Sequence, residues 1–356
     1  MEKVRVLILG AAFSADLHSD GYARLRDKAE IVGIADKDQD RIKALAERYG
    51  FTGYKAYDDF KVAIEDCDCD LVDICLPNFL HYEPALLAIE KGRDIISEKP
   101  LATTVEHAQA MVDAAKKKGT HIYYAEDWLF APAINRALEL IKEGSIGELK
   151  YMRLREAHSG SHSPFAQKIA YCGGGSMIHL GIHPVCFALA QKNNEWTEVV
   201  AMTSGGGEKN MIHNGMEGED WAAAIIRFKD GTAALCEGNY VTFGGMEDVI
   251  DFYGDTGCLH VDLTFSSALN GFSQKGFSYT VEKSEVNVGW ARPAVDEKYN
   301  VGYAAEIATF IDCCARGVDA NVGMRGEDGL EALKVINYIY QSAREGRSIK
   351  NPKMEA

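Results

Sequence analysis

The sequence predicts an α/β protein in two parts: a parallel, doubly wound sheet, followed by an α+β domain with a mainly antiparallel sheet. Apolar segments of strand length alternate with helical segments from the start of the chain to about residue 125. Beyond that point several strands follow one another with short turns, which favours antiparallel pairing. The 356 residues suffice for two domains, and we expect them at 1–125 and 126–350.

The first part contains five apolar segments that we interpret as strands, at 4–9, 31–35, 71–76, 94–97 and 121–125. Helices are predicted between them, from the residues after Ala15 to about 25 and at 40–49, 58–64, 81–91 and 104–118, and several of these end at a glycine. Parallel strands need a crossover connection, so this alternation indicates βαβ units.

The second part starts with a predicted helix at 132–143 and a long strand at 148–157. A polar, glycine-rich segment at 159–175 predicts a loop, and we expect one helix at 176–190. Strands are predicted at 197–203, 221–228, 232–241, 248–253 and 258–263, with a hairpin turn at 229–231. Helices at 301–315 and 327–344 close the chain.

The composition excludes several classes of partner. Lysine and arginine number 38 against 53 aspartates and glutamates, which gives a formal net charge of -15. A surface of this sign repels nucleic-acid phosphates and anionic lipid headgroups, so we expect neither nucleic acid nor membrane as a partner. Nine scattered cysteines without a C-x-x-C pair indicate reduced thiols, and no segment has the pattern of a signal peptide or membrane span. These features predict a cytoplasmic protein.

The first strand leads into a turn with the pattern of a dinucleotide-binding site, formed by Gly10, Ala11, Ala12 and Phe13. Glycine at the first position permits a tight turn, and the next helix directs its N-terminus at a phosphate. Alanine replaces the second and third glycines of the motif, at Ala12 and Ala15. A βαβ unit without a ligand would show the same pattern, so the turn alone does not establish a dinucleotide-binding site.

The second predicted strand ends at Asp36, about 20 residues after the turn, where a dinucleotide site places the acid that binds the ribose hydroxyls. A carboxylate repels a 2′-phosphate, so Asp36 predicts NAD rather than NADP as the cofactor. Lys37 follows directly and weakens that preference.

The strand at 94–97 leads into Glu98, Lys99 and Pro100. Pro100 restricts Lys99 to an extended conformation, which fixes the lysine at a strand end. Ligands of open α/β sheets bind at such ends, and a lysine there can hold or polarise a substrate hydroxyl. A surface pair of Lys99 and Glu98 is the alternative interpretation.

Two histidines, His179 and His183, follow three consecutive glycines at 173–175. In a continuous helix their spacing would place both on one face, and Pro184 would kink the turn that carries His183. Histidine is the natural acid–base group for oxidising an alcohol. Two structural histidines remain the alternative.

Further polar residues are candidates for a site. His158 and His162 flank a glycine in the predicted loop, and with Glu126 and the later histidines they offer metal ligands. Nothing in their spacing requires them to converge, so we predict no metal. Tyr303 and Glu306 share a helix face that can reach a substrate or simply be exposed.

Together these features resemble the glucose–fructose oxidoreductase/inositol dehydrogenase/rhizopine-catabolism (Gfo/Idh/MocA) family over nearly the whole chain. The matching positions are Gly10, Asp36, Leu76-Pro77-Asn78 with His81, Glu98-Lys99-Pro100, Glu126, the triple glycine with His183, and Tyr303 with Glu306. The resemblance implies a Rossmann domain that binds NAD(P), and a second domain with an open sheet that often forms oligomer contacts. It therefore implies a homo-oligomer (dimer, tetramer or hexamer) acting on a sugar, polyol, inositol or glycoside.

The resemblance also implies roles for individual residues. We expect the cofactor to contact Gly10, Ala11, Ala12, Phe13, Asp36, Leu76, Pro77, Asn78, His81, Glu98 and Lys99. We expect the substrate to contact Glu126, His158, His162 and Tyr303. In the family the lysine matching Lys99 contacts substrate and nicotinamide, and the histidine matching His183 is the usual acid–base group. Many members have aspartate where this chain has His179, which leaves the details of proton transfer open.

The mechanism we expect combines these residues. His183 accepts the hydroxyl proton, Lys99 polarises the oxygen, and hydride moves from the carbinol carbon to NAD. One alternative, known among relatives, is glycosidic cleavage driven by transient oxidation at a sugar C3. Another is a sensor that binds dinucleotide without catalysis, although the presence of both Lys99 and His183 disfavours it.

Overall fold

The computed structural model describes residues 2–161, 163–264, 267–277 and 288–354. The chain divides into two units, and each contains segments from separate parts of the sequence. The first unit comprises Met1–Phe130 and Gly302–Leu330, and the second comprises Ala131–Val301 and Glu331–Ala356. The division into consecutive domains at 1–125 and 126–350 stays a prediction.

The first unit is built on one parallel sheet. Its strands are β1 (Val4–Leu9), β2 (Ala29–Ala35), β3 (Lys55–Tyr57), β4 (Leu71–Ile74), β5 (Asp94–Ser97) and β6 (Ile122–Tyr124). They pair in parallel in the order β3-β2-β1-β4-β5-β6. The connections reverse direction between β1 and β4, which in doubly wound sheets is the switch point where ligands bind. The predicted sheet is confirmed, with β3 as an additional edge strand.

Five helices connect these strands: α1 (Phe13–Arg24), α2 (Gln39–Tyr49), α3 (Phe60–Asp66), α4 (Tyr82–Glu90) and α5 (Val105–Lys118). Their ends follow local rules. Asp38 caps α2 by accepting the backbone N–H groups of Asp40 and Arg41, and α2 ends at Gly50, whose φ of 64° is left-handed. Asp59 caps α3 in the same way.

The second unit contains a seven-stranded sheet and a separate two-stranded sheet. The strands are β7 (Leu149–Ala157), β8 (Trp196–Thr203), β9 (Trp221–Phe228), β10 (Ala233–Asn239), β11 (Glu247–Gly254), β12 (Cys258–Asp262), β13 (Gly271–Ser273), β14 (Gly289–Ala291) and β15 (Ile349–Lys350). The sheet order is β12-β11-β7-β10-β9-β8-β15, and β13 pairs with β14. Only β7 and β10 pair in parallel among these described neighbours, which confirms a mainly antiparallel sheet.

The remaining helices are α6 (Pro132–Lys142), α7 (Ile169–Cys172), α8 (Ser176–His179), α9 (Ile182–Gln191), α10 (Glu297–Asn300), α11 (Tyr303–Arg316) and α12 (Gly326–Glu345). Helix α11 belongs to the first unit, where it packs on α1. A Cβ on Gly21 of α1 would lie 2.8 Å from Cβ of Ile307, so the two helices approach closely at this glycine.

The single helix predicted at 176–190 is wrong, because the structure breaks it into α8 and α9 between His179 and Ile182. Pro184 has no N–H to donate to the carbonyl of Leu180, which instead accepts the N–H of His183 at 3.1 Å. At the break, Gly181 packs on the backbone of Gly238, where a Cβ would lie 2.4 Å from the Gly181 nitrogen. The two histidines therefore lie on separate helices.

Among the described helices, none is by itself both long and apolar enough to span a membrane. The bent pair Ile169–His179 and Ile182–Gln191, at 57° to each other, meets those criteria of length and composition when its two parts are counted together.

Candidate active site

The turn between β1 and α1 has the geometry of a phosphate-binding turn. Gly10 has a φ of 98°, and a Cβ there would lie 2.4 Å from the carbonyl oxygen of Cys75, so only glycine fits. Ala12 precedes α1 without a capping side chain, which leaves the first N–H groups of the helix for a ligand. Ala15 is fully buried, as close packing of helix on sheet requires.

Asp36 is held beside this turn by two backbone hydrogen bonds. Its Oδ2 accepts the N–H of Ala11 at 2.8 Å, and its Oδ1 accepts the N–H of Asp38 at 2.8 Å. The glycine turn, the uncapped helix N-terminus and this fixed carboxylate supply the groups that a dinucleotide needs for its pyrophosphate and ribose. The residues present therefore fit NAD.

The segment after β4 contains Leu76, Pro77, Asn78 and His81. Asn78 is buried and starts a short 3₁₀ helix, Asn78–Leu80. The ring nitrogens of His81 lie 2.7 Å from the carbonyl oxygen of Leu76 and 2.9 Å from that of Pro100. His81 thus ties the segment after β4 to the segment that carries Lys99.

Glu98 and Lys99 follow β5. Oε2 of Glu98 accepts the backbone N–H of Lys99 at 3.0 Å, and the Glu98 side chain is buried. The Gly10 turn, Asp36, the Leu76 segment and Lys99 thus follow the carboxyl ends of β1, β2, β4 and β5. Because neighbouring parallel strands end at the same edge, the structure brings these predicted residues together at the edge where ligands bind.

In the second unit, His183 faces a carboxylate that was not predicted as a site residue. Its Nε2 lies 3.4 Å from Oε2 of Glu156, and both side chains are buried. Glu156 is on β7, where Met152 and Leu154 occupy the preceding positions of the same buried face. A glutamate on the apolar side of a strand costs free energy unless it has a charged or polar partner, so this position is itself a signal of a site.

His179 pairs with a tyrosine. Its Nδ1 forms a short hydrogen bond with the hydroxyl of Tyr240, which follows β10. Burial, and then the nearby Cys172, Glu156 and Glu219, raise the pKa of Tyr240 well above its usual value, so the hydroxyl keeps its proton. A neutral hydroxyl can both donate and accept a hydrogen bond, so Tyr240 can hold the His179 ring in place in either tautomer.

His158 lies beside the same tyrosine, with ring centroids 5.2 Å apart. Its Nδ1 accepts the N–H of Gly160 at 3.1 Å, which places the proton of the neutral ring on Nε2. The second unit therefore gathers His158, His179 and Tyr240, with Glu156 close enough to Tyr240 to influence its pKa. His162 lies outside the described residues.

The three glycines before α8 are each required for a different reason. Gly173 has a φ of 94°. A Cβ on Gly174 would lie 2.4 Å from the hydroxyl oxygen of Tyr340, and one on Gly175 would lie 2.1 Å from the carbonyl oxygen of Glu219. These glycines permit close packing of the segment before His179. A run of glycines is otherwise typical of a flexible loop.

The predicted substrate contacts Glu126 and Tyr303 lie in the first unit. Glu126 is fully buried just after β6, and Tyr303 begins α11 with its ring centroid 6.0 Å from that of His18. Glu306, one turn later, is also fully buried. Its burial contradicts the exposed-face interpretation of this helix surface.

Four residues were not singled out from the sequence: Glu156, Tyr240, His18, and Asp73 on β4, whose Oδ1 lies 3.0 Å from Nδ1 of His18. The inward position of Glu156 on its strand and the buried position of Asp73 in the apolar segment 71–76 were the available signals. Tyr240 and His18 become recognisable only through partners that are distant in sequence, at separations of 61 residues for His179 and 55 for Asp73.

Comparisons with known proteins agree with this architecture. Two models of one oxidoreductase family match the chain: its NAD-binding Rossmann fold over residues 4–126 and its C-terminal alpha/beta domain over residues 138–350. Among solved structures, GenD2 from gentamicin A biosynthesis, in complex with NAD, has a TM-score of 0.88 at 23% identity. That similarity covers 99% of this chain and 97% of GenD2, and it shows the fold.

Three relatives illustrate the similarity in sequence. Levoglucosan dehydrogenase of Pseudarthrobacter phenanthrenivorans is 28% identical over 100% of both chains. D-Glucoside 3-dehydrogenase of Escherichia coli is 34% identical over 51% of each chain, and myo-inositol 2-dehydrogenase of Thermotoga maritima is 24% identical over 98% of each. Since both family models match and together span most of the sequence, the chain belongs to the Gfo/Idh/MocA oxidoreductase family and carries its NAD-binding Rossmann domain.

Proposed function

We propose that this protein is an NAD-dependent dehydrogenase that oxidises a secondary hydroxyl group of a sugar, inositol or glycoside. The observation that carries the proposal is the buried pair of His183 and Glu156, with 3.4 Å between Nε2 and Oε2. A carboxylate beside an imidazole stabilises the imidazolium that forms when the ring accepts a proton. The names of the three relatives, which are dehydrogenases of an anhydrosugar, a glucoside and an inositol, support this substrate class.

The roles of the residues follow from their chemistry. His183 accepts the proton of the reacting hydroxyl, and Glu156 stabilises the resulting positive charge on the ring. Lys99 donates a hydrogen bond to the same oxygen and stabilises the negative charge that develops there. NAD, when bound, supplies the acceptor for the hydride that leaves the carbinol carbon. Glu126, His158 and Tyr303 are proposed to bind the other hydroxyl groups of the substrate, together with His162.

The preference for NAD over NADP rests on Asp36. Its carboxylate is held at the turn by Ala11 and Asp38, where it would accept hydrogen bonds from ribose hydroxyls and repel a 2′-phosphate. Titration of the protein with each nucleotide should show tighter binding of NAD, and Asp36→Ser should reduce the difference. Tighter binding of NADP by the unmodified protein would contradict the assignment.

The activity itself is tested with a panel of sugars, inositols, anhydrosugars and glycosides in the presence of NAD. We expect NADH to form with at least one class, as measured by its absorbance. A chain that binds NAD but oxidises none of them would favour the dinucleotide sensor.

A second candidate function is favoured by the additional pair of His179 and Tyr240. Glycosidic cleavage through transient oxidation at C3 needs a base for the carbon next to the new carbonyl, besides the base for the hydroxyl. His179 beside Tyr240 is a group of that kind in addition to His183. Release of aglycone from a glycoside without net formation of NADH would identify this reaction, and NADH in proportion to product would exclude it.

We also propose that the chain forms homo-oligomers through the outer face of the seven-stranded sheet. Met202 on β8 is 71% exposed and Ile225 on β9 is 44% exposed, and the two strands are neighbours in the sheet. Exposed apolar side chains on a sheet face favour association. Light scattering should give a mass above one chain, and Met202→Lys should lower it.

A further inference from the structure

His18 is a fully buried histidine in α1 that none of the proposed catalytic steps uses. It is surrounded by titratable groups from every element that packs against it. These are Tyr22 from α1, Asp73 and Cys75 from β4 and its end, Glu98 from the end of β5, and Tyr303 and Glu306 from α11. All belong to the first unit. We call this group the His18 cluster.

Both ring nitrogens of His18 face carboxylates. Nδ1 lies 3.0 Å from each oxygen of Asp73. Nε2 lies 3.3 Å from Oε1 of Glu98, as an ion-pair contact rather than an aligned hydrogen bond, and 3.9 Å from Oε2 of Glu306. An ionised carboxylate only accepts hydrogen bonds, and a neutral imidazole would turn a lone pair towards one of them. The ring that fits this environment carries a proton on both nitrogens.

The charges of the neighbours agree with a positive ring. Burial opposes a charge on His18, but the carboxylate of Asp73 raises the pKa of the ring well above its usual value. Burial also opposes the charge of Glu98, but the close contact with His18 and its charge, then the charge of Lys99, lower the pKa of its carboxyl group. Glu306 differs, because burial and the charge of Asp127 raise its pKa well above the usual range.

The cluster is therefore asymmetric in charge. Asp73 and Glu98 face the two ring nitrogens, and the lowered pKa of Glu98 favours its ionised form, whereas the raised pKa of Glu306 favours its neutral form. Tyr22 donates its hydroxyl hydrogen to Oδ2 of Asp73 at 2.8 Å, which holds that carboxylate in place. Since an ion pair in the interior persists only with well-placed partners, the cluster holds its members in one arrangement.

The cluster reaches the proposed active site through Glu98. Oε1 of Glu98 faces His18, while Oε2 accepts the backbone N–H of Lys99 at 3.0 Å. The two oxygens of the Glu98 carboxylate are thus held by different groups. The position of Glu98, and of the backbone that carries the Lys99 side chain, therefore depends on His18. We propose that His18 is a permanently protonated positioning residue that fixes, through Glu98, the backbone from which Lys99 projects.

The kinetic consequences of this inference rest on the function proposed for Lys99. The charge of His18 does not depend on that function. The charge is measured on the protein without cofactor or substrate, by ¹⁵N spectra of histidine-labelled chain at about pH 8. An unperturbed imidazole, with a pKa of about 6.5, is neutral there. We expect one ring with both nitrogens protonated, assigned by its loss in His18→Gln or by its shift in Glu98→Gln. A His18 ring with one bare nitrogen at this pH overturns the inference.

The positioning role is measured by kinetics. We expect His18→Gln and Glu98→Gln each to lower kcat by about 10- to 100-fold, because a displacement of ~1 Å at a catalytic group can cost ~10²-fold. In His18→Gln the KM for NAD should stay close to that of the unmodified protein. The double variant should be no slower than the slower single variant, because both changes remove the same link. Additive losses in the double variant, or an unchanged kcat in His18→Gln, contradict the role.

The matched control is His121→Gln. His121 forms a similar pair in the same unit, with Nδ1 3.1 Å from Oδ1 of Asp94, but at the opposite end of β5. This variant should keep kcat. If losing any histidine–aspartate pair lowered the rate, the effect would appear in His121→Gln as well as in His18→Gln.

If no substrate of the panel reacts, the proposed function fails while the spectra still decide the charge of His18. If a substrate reacts and His18 proves neutral, only this inference fails.

Discussion

The two units use buried histidines in opposite ways. In the first unit, His18 has carboxylates at both ring nitrogens, 3.0 Å and 3.3 Å away, and these hold its charge constant. In the second unit, His183 faces Glu156 at one nitrogen, and His179 faces the neutral hydroxyl of Tyr240. Carboxylates at both nitrogens favour a ring that keeps its charge, whereas a ring that acts as a base must be neutral before it accepts a proton from the substrate. We therefore interpret His18 as a positioning group, and His183 and His179 as catalytic candidates.

The largest effect should come from the residues proposed to act on the substrate. General acid–base assistance is typically worth ~10²–10⁴-fold, so His183→Ala should lower the rate of single-turnover hydride transfer by roughly that factor with NAD saturating. Lys99→Ala should cause a similar loss and also weaken substrate binding. His107→Ala, an exposed histidine on α5, is the control and should keep the rate. Rates near that of the unmodified protein for both variants would leave the dinucleotide sensor as the better account.

A smaller effect should follow from changing the second histidine. If His179 only orients the reacting group, His179→Ala should lose less rate than His183→Ala. Tyr240→Phe should then resemble His179→Ala, because it removes the hydrogen bond that orients the ring of His179. The measurement is the same single-turnover assay on all three variants. A greater loss in His179→Ala than in His183→Ala would show that the two histidines have exchanged roles.

The difference between the units also shows how far the sequence could predict them. Five of the six strands of the first sheet were predicted to within a few residues, because each is an apolar run followed by a turn, whereas the short edge strand β3 was not predicted. Lys99 and Asp36 were predicted for the same reason, since a strand end defines their place. The His18 cluster was not, because it forms only when α1 and α11 pack beside the end of β4. Local sequence carries no signal for such long-range pairing.

In the second unit the errors have a different cause. The break between α8 and α9 lies at Gly181 and just before Pro184, whereas the spacing of His179 and His183 favours one continuous helix. A run of three glycines is typical of a flexible loop, whereas Gly175 packs against the backbone of Glu219. A glycine run does not reveal whether it serves flexibility or close approach. That distinction depends on the neighbouring backbone.

Close packing at the triple glycine predicts a loss of stability. In Gly175→Ala, the added Cβ would lie 2.1 Å from the carbonyl oxygen of Glu219 and 2.3 Å from its nitrogen, and neither is a side chain that can move away. We expect destabilisation by about 3 kcal/mol, the upper part of the usual range for overpacking. Gly215→Ala is the matched control, because a Cβ there meets nothing within 4 Å. Equal melting temperatures for both variants would show a loop that moves freely.

The smallest expected effect concerns the carboxyl group that anchors α8. Oε1 of Glu219 accepts the N–H of Met177 at 2.8 Å and the hydroxyl hydrogen of Tyr340 at 3.0 Å. Burial raises the pKa of Glu219 to about 7, from 4.5 in the unfolded chain. The folded protein therefore binds this proton more tightly than the unfolded chain, and stability falls as the pH rises from about 4.5 through 7.

The size of this loss of stability follows from the pKa shift of Glu219. With 1.36 kcal/mol for each pKa unit, the loss of stability attributable to Glu219 between pH 5 and 7.5 is roughly 2 kcal/mol.

Glu219→Gln keeps an acceptor for Met177 and Tyr340 but does not titrate, so its melting temperature should decline less than that of the unmodified protein over this range. Glu217→Gln is the control: its ion pair with Lys168, with 2.8 Å between Oε1 and Nζ, lowers the pKa of this exposed carboxyl, so it stays ionised throughout. Parallel declines in the unmodified protein and Glu219→Gln would show that Glu219 is already ionised at pH 5. The anchor of α8 would then be a second fixed charge, like His18, rather than a group that titrates within the working range of the enzyme.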